Sequence, residues 1–557
     1  MDLSIIVGIA IPIIITILTI FLFWYYGAFY LPWYIPFILF ITLFVAIFQV
    51  FGLLPLDLSW ALFGSDQSKM PVTLYNVISK SLIALYWISF VLGWVITPTI
   101  TSFYTYNYGL TWSSKIWYAI RYNIYWYLWA GFLVFLGIGI LYATKSLTFA
   151  NLPTLLITLS TAYGIILICF LLGHGFIALP IRLWRFANIE VKKRYHLFEV
   201  AMVSRAAAQA IYDARSIIEI LETAPSRAVK LYAELFERNL KPRVEIMRYF
   251  LNLNLLPEQR HYTGLKLGKN AQKIKDVKFN IAMKSDLEDV LYHTDEITKA
   301  LSSACVELFT EAKTANICIK SLNSKTRSNS RIFFWRLFSI ITGLFSLAYI
   351  WGETTIMFKP KLSPFYIISH LKISKWISEI FITFPILLIL CSIGTWSLTK
   401  VRLGSYFKFI PHGTNDMTFY FFVVILGRLA PTIGYHYLMQ VGGEESLSYK
   451  FIHDAMKDIK FIGNLWQYIA PVLMLLTSIL VIFRVWDRLL HSLGVKRFTF
   501  DNDLSLFNDS TIREGESIVD AMNVDFDAPI NGRRQTKRAA TTMDNSLLDN
   551  EMPNYGW

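Results

Sequence analysis

The stretch Met417 to Leu438 is long enough to cross a bilayer, yet it carries Arg428 near its middle. About 20 apolar residues span the hydrocarbon. A lone guanidinium at that depth costs roughly 3 kcal/mol on insertion scales unless it faces a protein interior, a polar cavity or a carboxylate. The helix therefore needs neighbours. Pro431 lacks the N–H that would reach the Gly427 carbonyl, and Gly434 loosens the next turn, so a bend with polar groups beside it is expected. Tyr435 shares the face of Arg428, and His436 lies partly aside.

Similar apolar runs recur at Leu3 to Phe23, Trp33 to Leu54, Ser81 to Tyr104, Ile124 to Tyr142 and Leu152 to Leu179. After a polar block come Ile332 to Trp351, Ile377 to Trp396, Met417 to Leu438 and Leu465 to Ile482. Their ends carry Trp24, Trp33, Trp351, Trp376, Trp396 and Trp466, as interfacial aromatic belts do. Only 16% of the 557 residues are charged and 55% are hydrophobic, well outside the soluble globular range. The expected fold is an all-α polytopic membrane protein of about nine transmembrane helices. Its divisions would be residues 1–180 (spans 1 to 5), 181–331 (a helical insertion), 332–486 (spans 6 to 9) and 487–557 (a tail). The N-terminal run has no basic leader and no small-residue cleavage site, so it reads as a retained span.

Orientation follows from where arginine is missing. The segments Pro55 to Lys80, Ala143 to Asn151, Gly352 to Trp376 and Met439 to Asn464 contain none, whereas Arg121, Arg182, Arg185, Arg194, Arg327, Arg402 and Arg488 fall on the other side. The positive-inside rule then puts the N-terminus outside or in a lumen and the C-terminus in the cytosol. A plasma or endolysosomal membrane is the expected location.

The block Ile181 to Arg331 is rich in Lys and Arg and reads helical. Val203, Ala207, Ala210, Ala214, Ile217 and Leu221 alternate spacings of four and three, the a/d seam of a coiled coil. Leu287, Leu291, Ile297, Leu301, Ala304 and Leu308 form a second stripe, so a helical hairpin or coiled-coil insertion is expected. It would offer a surface to protein partners or to a second copy of the chain. The net charge of +13 gathers here and at segment ends, a pattern that suits the surface of an anionic bilayer rather than nucleic acid. The tail after Gly494 lacks apolar periodicity and is expected to be disordered. Within it Arg533 and Arg534 precede Thr536, a candidate site for a basophilic kinase.

No phosphate-cradling loop, HExxH or nucleophile elbow occurs, and Cys169, Cys305, Cys318 and Cys391 have no metal-site spacing. Neither catalysis nor a cofactor or metal is expected. What remains is a set of polar residues in or beside the spans. His174 sits between Gly173 and Gly175, where a helix would break or pack tightly. Glu379 and Asp57 lie near the outer ends of their spans, and an arginine side chain reaches several ångströms, so Glu379 and then Asp57 are the candidate partners of Arg428. As a site, Arg428, Pro431, Tyr435 and His436 with these acids would be either a ligand or solute pathway or an internal strut.

LLPLDLS at Leu53 to Ser59, LGHGFIALPIRLW at Leu172 to Trp184, GRLAPTIGYHYL at Gly427 to Leu438 and MKDIKFIGNLWQYIAPVLMLL at Met456 to Leu476 carry a resemblance. The chain resembles the lipocalin-interacting membrane receptor (LIMR) family, also named the limb region 1-like membrane proteins, and within it the limb region 1 domain-containing protein 2 branch. Thr432 stands where the family has a second proline, and His436 where it has an asparagine. The resemblance implies a multipass membrane protein acting as a receptor or regulator of membrane signalling, including signalling by G-protein-coupled receptors. The alternative is a transporter or exporter with a pathway near Arg428.

Overall fold

The computed structural model describes backbone segments 34–63, 72–105, 152–223, 284–323, 329–356, 360–371, 378–400, 416–458, 460–485 and 505–521, with shorter pieces between them. More than half of the expected first span, most of the fourth, and Thr536 lie outside the described residues. In chain order the helices are α1 (Tyr34–Phe48), α2 (Leu54–Phe63), α3 (Val72–Val91), α4 (Thr97–Thr105), α5 (Leu152–Phe186), α6 (Ile189–Glu222) and α7 (Lys284–Asn323). They continue with α8 (Asn329–Ile356), α9 (Pro364–Ser369), α10 (Phe384–Leu398), α11 (Asp416–Val441), α12 (Leu447–Asp458), α13 (Lys460–Ile482) and α14 (Ser505–Ala521). Among the described residues no strand occurs.

Among the described residues six helical stretches are long and apolar enough to cross a membrane: Pro36–Leu62, Tyr75–Phe103, Pro153–Phe186, Ser330–Ile356, Phe381–Leu398 and Thr418–Val441. Ile469–Ile482 is a shorter apolar helix at the expected ninth span. The face that α8 turns outward is Phe334, Phe338, Ile341, Leu344 and Leu347, each largely exposed, which is lipid-facing chemistry. By contrast α11 is the hub, wrapped by α1, α5 and α10, and its Phe422, Leu429, Ile433 and Tyr437 are fully buried.

Two spans are made of two α-helices fused through a π turn, and a third π turn opens α10. The turns occupy Gln49–Leu53, Leu92–Ile96 and Ser378–Thr383, and the second residue after each is a proline: Pro55, Pro98 and Pro385. The reason is steric. A proline ring clashes with the carbonyl four residues back and cannot donate to it. Here those carbonyls belong to Phe51, Trp94 and Phe381, inside the π turns, where the wider helix gives the ring room. The Trp94 carbonyl, left without its helical donor, accepts from the Tyr127 hydroxyl. Pro180, Pro431 and Pro471 lie inside helices that run on through them, so the expected bend at Pro431 does not interrupt α11.

Glycines set how closely the spans approach. A β-carbon at Gly434 would sit 2.5 Å from Leu54 Cδ1, so this residue is packing space for α2 rather than a loosened turn. At Gly173 it would meet the Met474 carbonyl of α13 at 3.0 Å, and at Gly175 the Ile393 side chain of α10 at 2.6 Å. The GHG motif therefore lies in a continuous α5, pressed between two helices. His174 between them reaches Ser397 Oγ at 2.6 Å and stacks on Trp396.

The polar block has its own core. Ala207, Ala210, Ala214, Ile217 and Leu221 of α6 bury against Leu301, Ala304 and Leu308 of α7, which joins two amphipathic helices along the periodic seam. The side chains of Leu287, Leu291 and Cys305 lie outside the described residues. Asn188 caps α6, accepting from the Glu190 N–H at 3.1 Å, so only Ala187 and Asn188 separate the end of α5 from α6. The tail departs from its expected disorder over one stretch. The helix α14 packs on α6 through Ile512 and Val519, and pairs Asp509 with Arg194, Glu514 with Arg205 and Glu516 with Lys193. Its apolar contacts are few and spaced around Gly515, too sparse a pattern to stand out in sequence.

Candidate functional site: buried polar groups along α11

Arg428 is 94% buried and its guanidinium points between α3 and α5. Nη1 donates to Ser160 Oγ at 3.0 Å, and Nη2 donates to the carbonyls of Phe90 at 3.2 Å and Ser89 at 3.5 Å. The rings of Phe90 and Trp94 lie 5.2 and 5.4 Å from its central carbon, at cation–π range. Gly93 makes the approach possible, since a β-carbon there would be 3.3 Å from Nη2. Thr432, one turn on, donates to the Arg428 carbonyl at 2.8 Å. Every one of these partners is neutral, and no carboxylate contacts the guanidinium among the described residues.

The two expected counter-charges behave differently. Asp57 accepts from the backbone N–H groups of Leu447 at 3.0 Å and Ser448 at 2.7 Å, so it caps the N-terminus of α12, where a carboxylate is stabilised by the helix dipole. It is not brought to Arg428. The backbone of Glu379 lies in the Ser378–Thr383 π turn, and its side chain is outside the described residues.

Farther along α11, His436 Nδ1 lies 3.2 Å from Glu353 Oε1 of α8, with both residues essentially inaccessible. Sequence reasoning singled out His436 but placed Glu353 in an outer loop, because it follows the interfacial Trp351. In fact α8 runs on to Ile356, its last turn closed by Thr354 and Thr355 donating to the carbonyls of Trp351 and Gly352. Gln440 and Ser363 were also missed. Both stand within 3 Å of where a Gly352 β-carbon would be, and both are fully buried. The usable signal was an acid two residues beyond a tryptophan with no charge beside it.

Tyr435 turns to a third side. Its ring stacks on Tyr449, and its hydroxyl is 3.5 Å from His453 Nδ1. On α12, burial pushes the Tyr449 phenol up to about 12, with Glu444 and Asp454 adding to the rise. Burial also holds the His453 imidazolium below its ordinary range, while Asp454 pulls it part of the way back.

Two small cavities adjoin along α11, sharing Gln49, Pro431 and Ile452. One is lined by Arg428 with Tyr86, Ser89, Ser160, Thr161 and Thr432, and its volume is about 20 Å³, room for about one water. The arrangement can hold a small polar guest beside a cation. Among the described residues it assembles neither a nucleophile with a base nor a cluster able to hold a metal.

Comparison with known proteins decides the family. The model of the LMBR1-like membrane proteins matches residues 4–486. The chain belongs to that family. It is 21% identical over 470 residues to LMBR1 domain-containing protein 2 homolog A of Dictyostelium discoideum, covering 78% of this chain and 61% of the relative. It is 22% identical over 477 residues to the G-protein coupled receptor-associated protein LMBRD2 of Homo sapiens, covering 78% of this chain and 67% of the relative. The matched region thus spans about three fifths of the Dictyostelium relatives' length. No solved structure matches the chain. Family membership and six apolar spans make it an integral, multipass, helical membrane protein.

Proposed function

We propose that this LMBR1-like protein regulates membrane signalling, including that of G-protein-coupled receptors, by presenting its polar helical block to partners on the cytosolic face. The carrying observation is mechanical. Only Ala187 and Asn188 separate α5, which packs on α8, α10, α11 and α13, from α6, so a shift among the spans is delivered directly to the α6–α7 seam. The names of relatives as receptor-associated proteins support the reading. In it the N-terminus faces outside or a lumen, the block and tail face the cytosol, and the membrane is plasma or endolysosomal. Thr536 is then accessible to a kinase, and the block's surface can take a protein partner or a second copy. The test replaces residues 203–308 with a neutral linker, confirms membrane delivery, and compares proximity-labelled partners. Loss of receptor-pathway partners is expected, and an unchanged partner set refutes the proposal.

A second reading, solute transport past Arg428, is favoured by the cavity beside a bilayer-depth cation and by the π turns that widen two neighbouring spans, α1–α2 and α3–α4. Flux into sealed vesicles that vanishes with Arg428→Gln supports it. Flux that persists in folded variant protein removes it.

A further inference from the structure

The geometry points to a binding site for one small monovalent anion, of chloride size, in the cavity between Arg428, Thr161 and Gln49. This holds whether the protein signals or transports, because it concerns equilibrium occupancy and not movement. Three observations converge.

The first is charge. Arg428 carries a full positive charge near the middle of the span Thr418–Val441, and everything it touches among the described residues is neutral: one hydroxyl, two carbonyls and two aromatic faces. Carbonyl and ring contacts orient a guanidinium and soften its desolvation, but they leave the charge in place, and uncompensated charge inside a bilayer is expensive.

The second is donor capacity. A guanidinium has five N–H groups. Three contacts are made from Nη1 and Nη2, while Nε and the second Nη1 hydrogen have no acceptor among the described residues. An anion takes both the charge and the spare donors, since charge-assisted bonds are the strong ones.

The third is the space. The cavity that Arg428 lines is also lined by the hydroxyl-bearing Tyr86, Ser89, Ser160, Thr161 and Thr432, and by Gln49, whose buried Oε1 has no partner. The Thr432 and Tyr86 hydroxyls already donate to the Arg428 and Ile157 carbonyls, whereas those of Ser89, Ser160 and Thr161 and the Gln49 side-chain amide can turn their hydrogens toward an anion. The volume of about 20 Å³ admits a halide-sized guest and rejects a multi-atom carboxylate.

The experiment uses the full chain in lipid nanodiscs and follows thermal unfolding as chloride or bromide replaces gluconate at constant ionic strength. Ligand that binds only the folded state raises the midpoint saturably. A saturable rise with chloride and bromide is expected, and its loss in Arg428→Gln. If that variant does not fold, Gln49→Leu and Thr161→Val decide the matter. Both keep shape and remove polar lining, and each should raise the half-saturating chloride about tenfold, the cost of one bond to a charged group. Equal unfolding in chloride and gluconate overturns the site. So does an unaltered chloride response in folded Arg428→Gln or in both lining variants.

Discussion

Gly164 of α5 faces Thr432 of α11 so closely that a β-carbon at 164 would overlap the Thr432 hydroxyl and stand 3.1 Å from its Cβ. That hydroxyl is not free to swing away, because it donates to the Arg428 carbonyl at 2.8 Å. The close approach of α5 and α11 therefore also fixes the distance from Ser160, one turn earlier on α5, to the guanidinium. Gly164→Ala should destabilise the chain by about 1–3 kcal/mol through overpacking. Adding Thr432→Ala removes the overlapping oxygen and should restore most of the loss. Thermal unfolding of the single and double variants gives the coupling directly, and strictly additive effects would show that the two residues do not meet.

The His436–Glu353 contact joins α11 to α8 with both side chains sealed from water. Breaking a buried polar pair from one side leaves the other group stranded, at about 3–5 kcal/mol, whereas replacing both members by apolar residues is often neutral. Glu353→Leu and His436→Leu should each reduce folded yield in detergent sharply. The double variant should recover beyond either single one, as read by size-exclusion profiles of fluorescently tagged protein. Equal yields for all three would show that the contact carries no coupling.

Much of this arrangement was legible in the chain. The apolar runs gave the spans that the structure describes, because spanning a bilayer demands a length and a composition that survive any packing. The α6 seam was legible for a related reason: Val203 to Leu221 repeat at helical spacing whether or not the partner helix is known. Partner choice was not. Asp57 and Glu379 were judged by depth along their own spans, but Asp57 went to the N-terminus of α12, whose two exposed N–H groups compete for any nearby carboxylate. The span edge at Trp351 hid Glu353, since interfacial tryptophan marks where a lipid-facing side ends and says nothing of the face turned inward. The π turns had a sequence signal in Pro55, Pro98 and Pro385, visible only once the helices are seen to continue through them.

His453 gives the chain a pH dependence whose sign follows from its surroundings. Burial lowers its proton affinity in the folded protein, Asp454 and Glu444 oppose that, and Lys457 reinforces it. The unfolded chain then binds more protons than the folded one between the two values. The stability contributed by His453 is full above the ordinary histidine range, falls as pH drops through it, and levels off below the folded value. Unfolding midpoints measured from neutral to mildly acid pH should decline for the parent chain and decline less for His453→Gln. A variant with the same slope as the parent would remove His453 from the account.

The tail helix α14 offers the sharpest mechanical test. Gly515 lies against the backbone of α6, and a β-carbon there would run into the Leu197 carbonyl, an atom that cannot rotate aside. The remaining attachment is modest: Ile512 and Val519 are buried, and the pairs Lys193–Glu516, Arg194–Asp509 and Arg205–Glu514 are partly exposed. Exposed pairs contribute about 0–1 kcal/mol each and are screened by salt. Gly515→Ala should therefore release α14 from α6 while leaving the α6–α7 seam intact. Hydrogen exchange should rise throughout residues 505–521 and stay low at Ala207, Ala214 and Leu221. In the parent chain the same segment should exchange faster as salt increases, since the ion pairs weaken while the apolar contacts do not. Protection at 505–521 that is indifferent to both the substitution and salt would show that α14 is held by something other than this contact with α6.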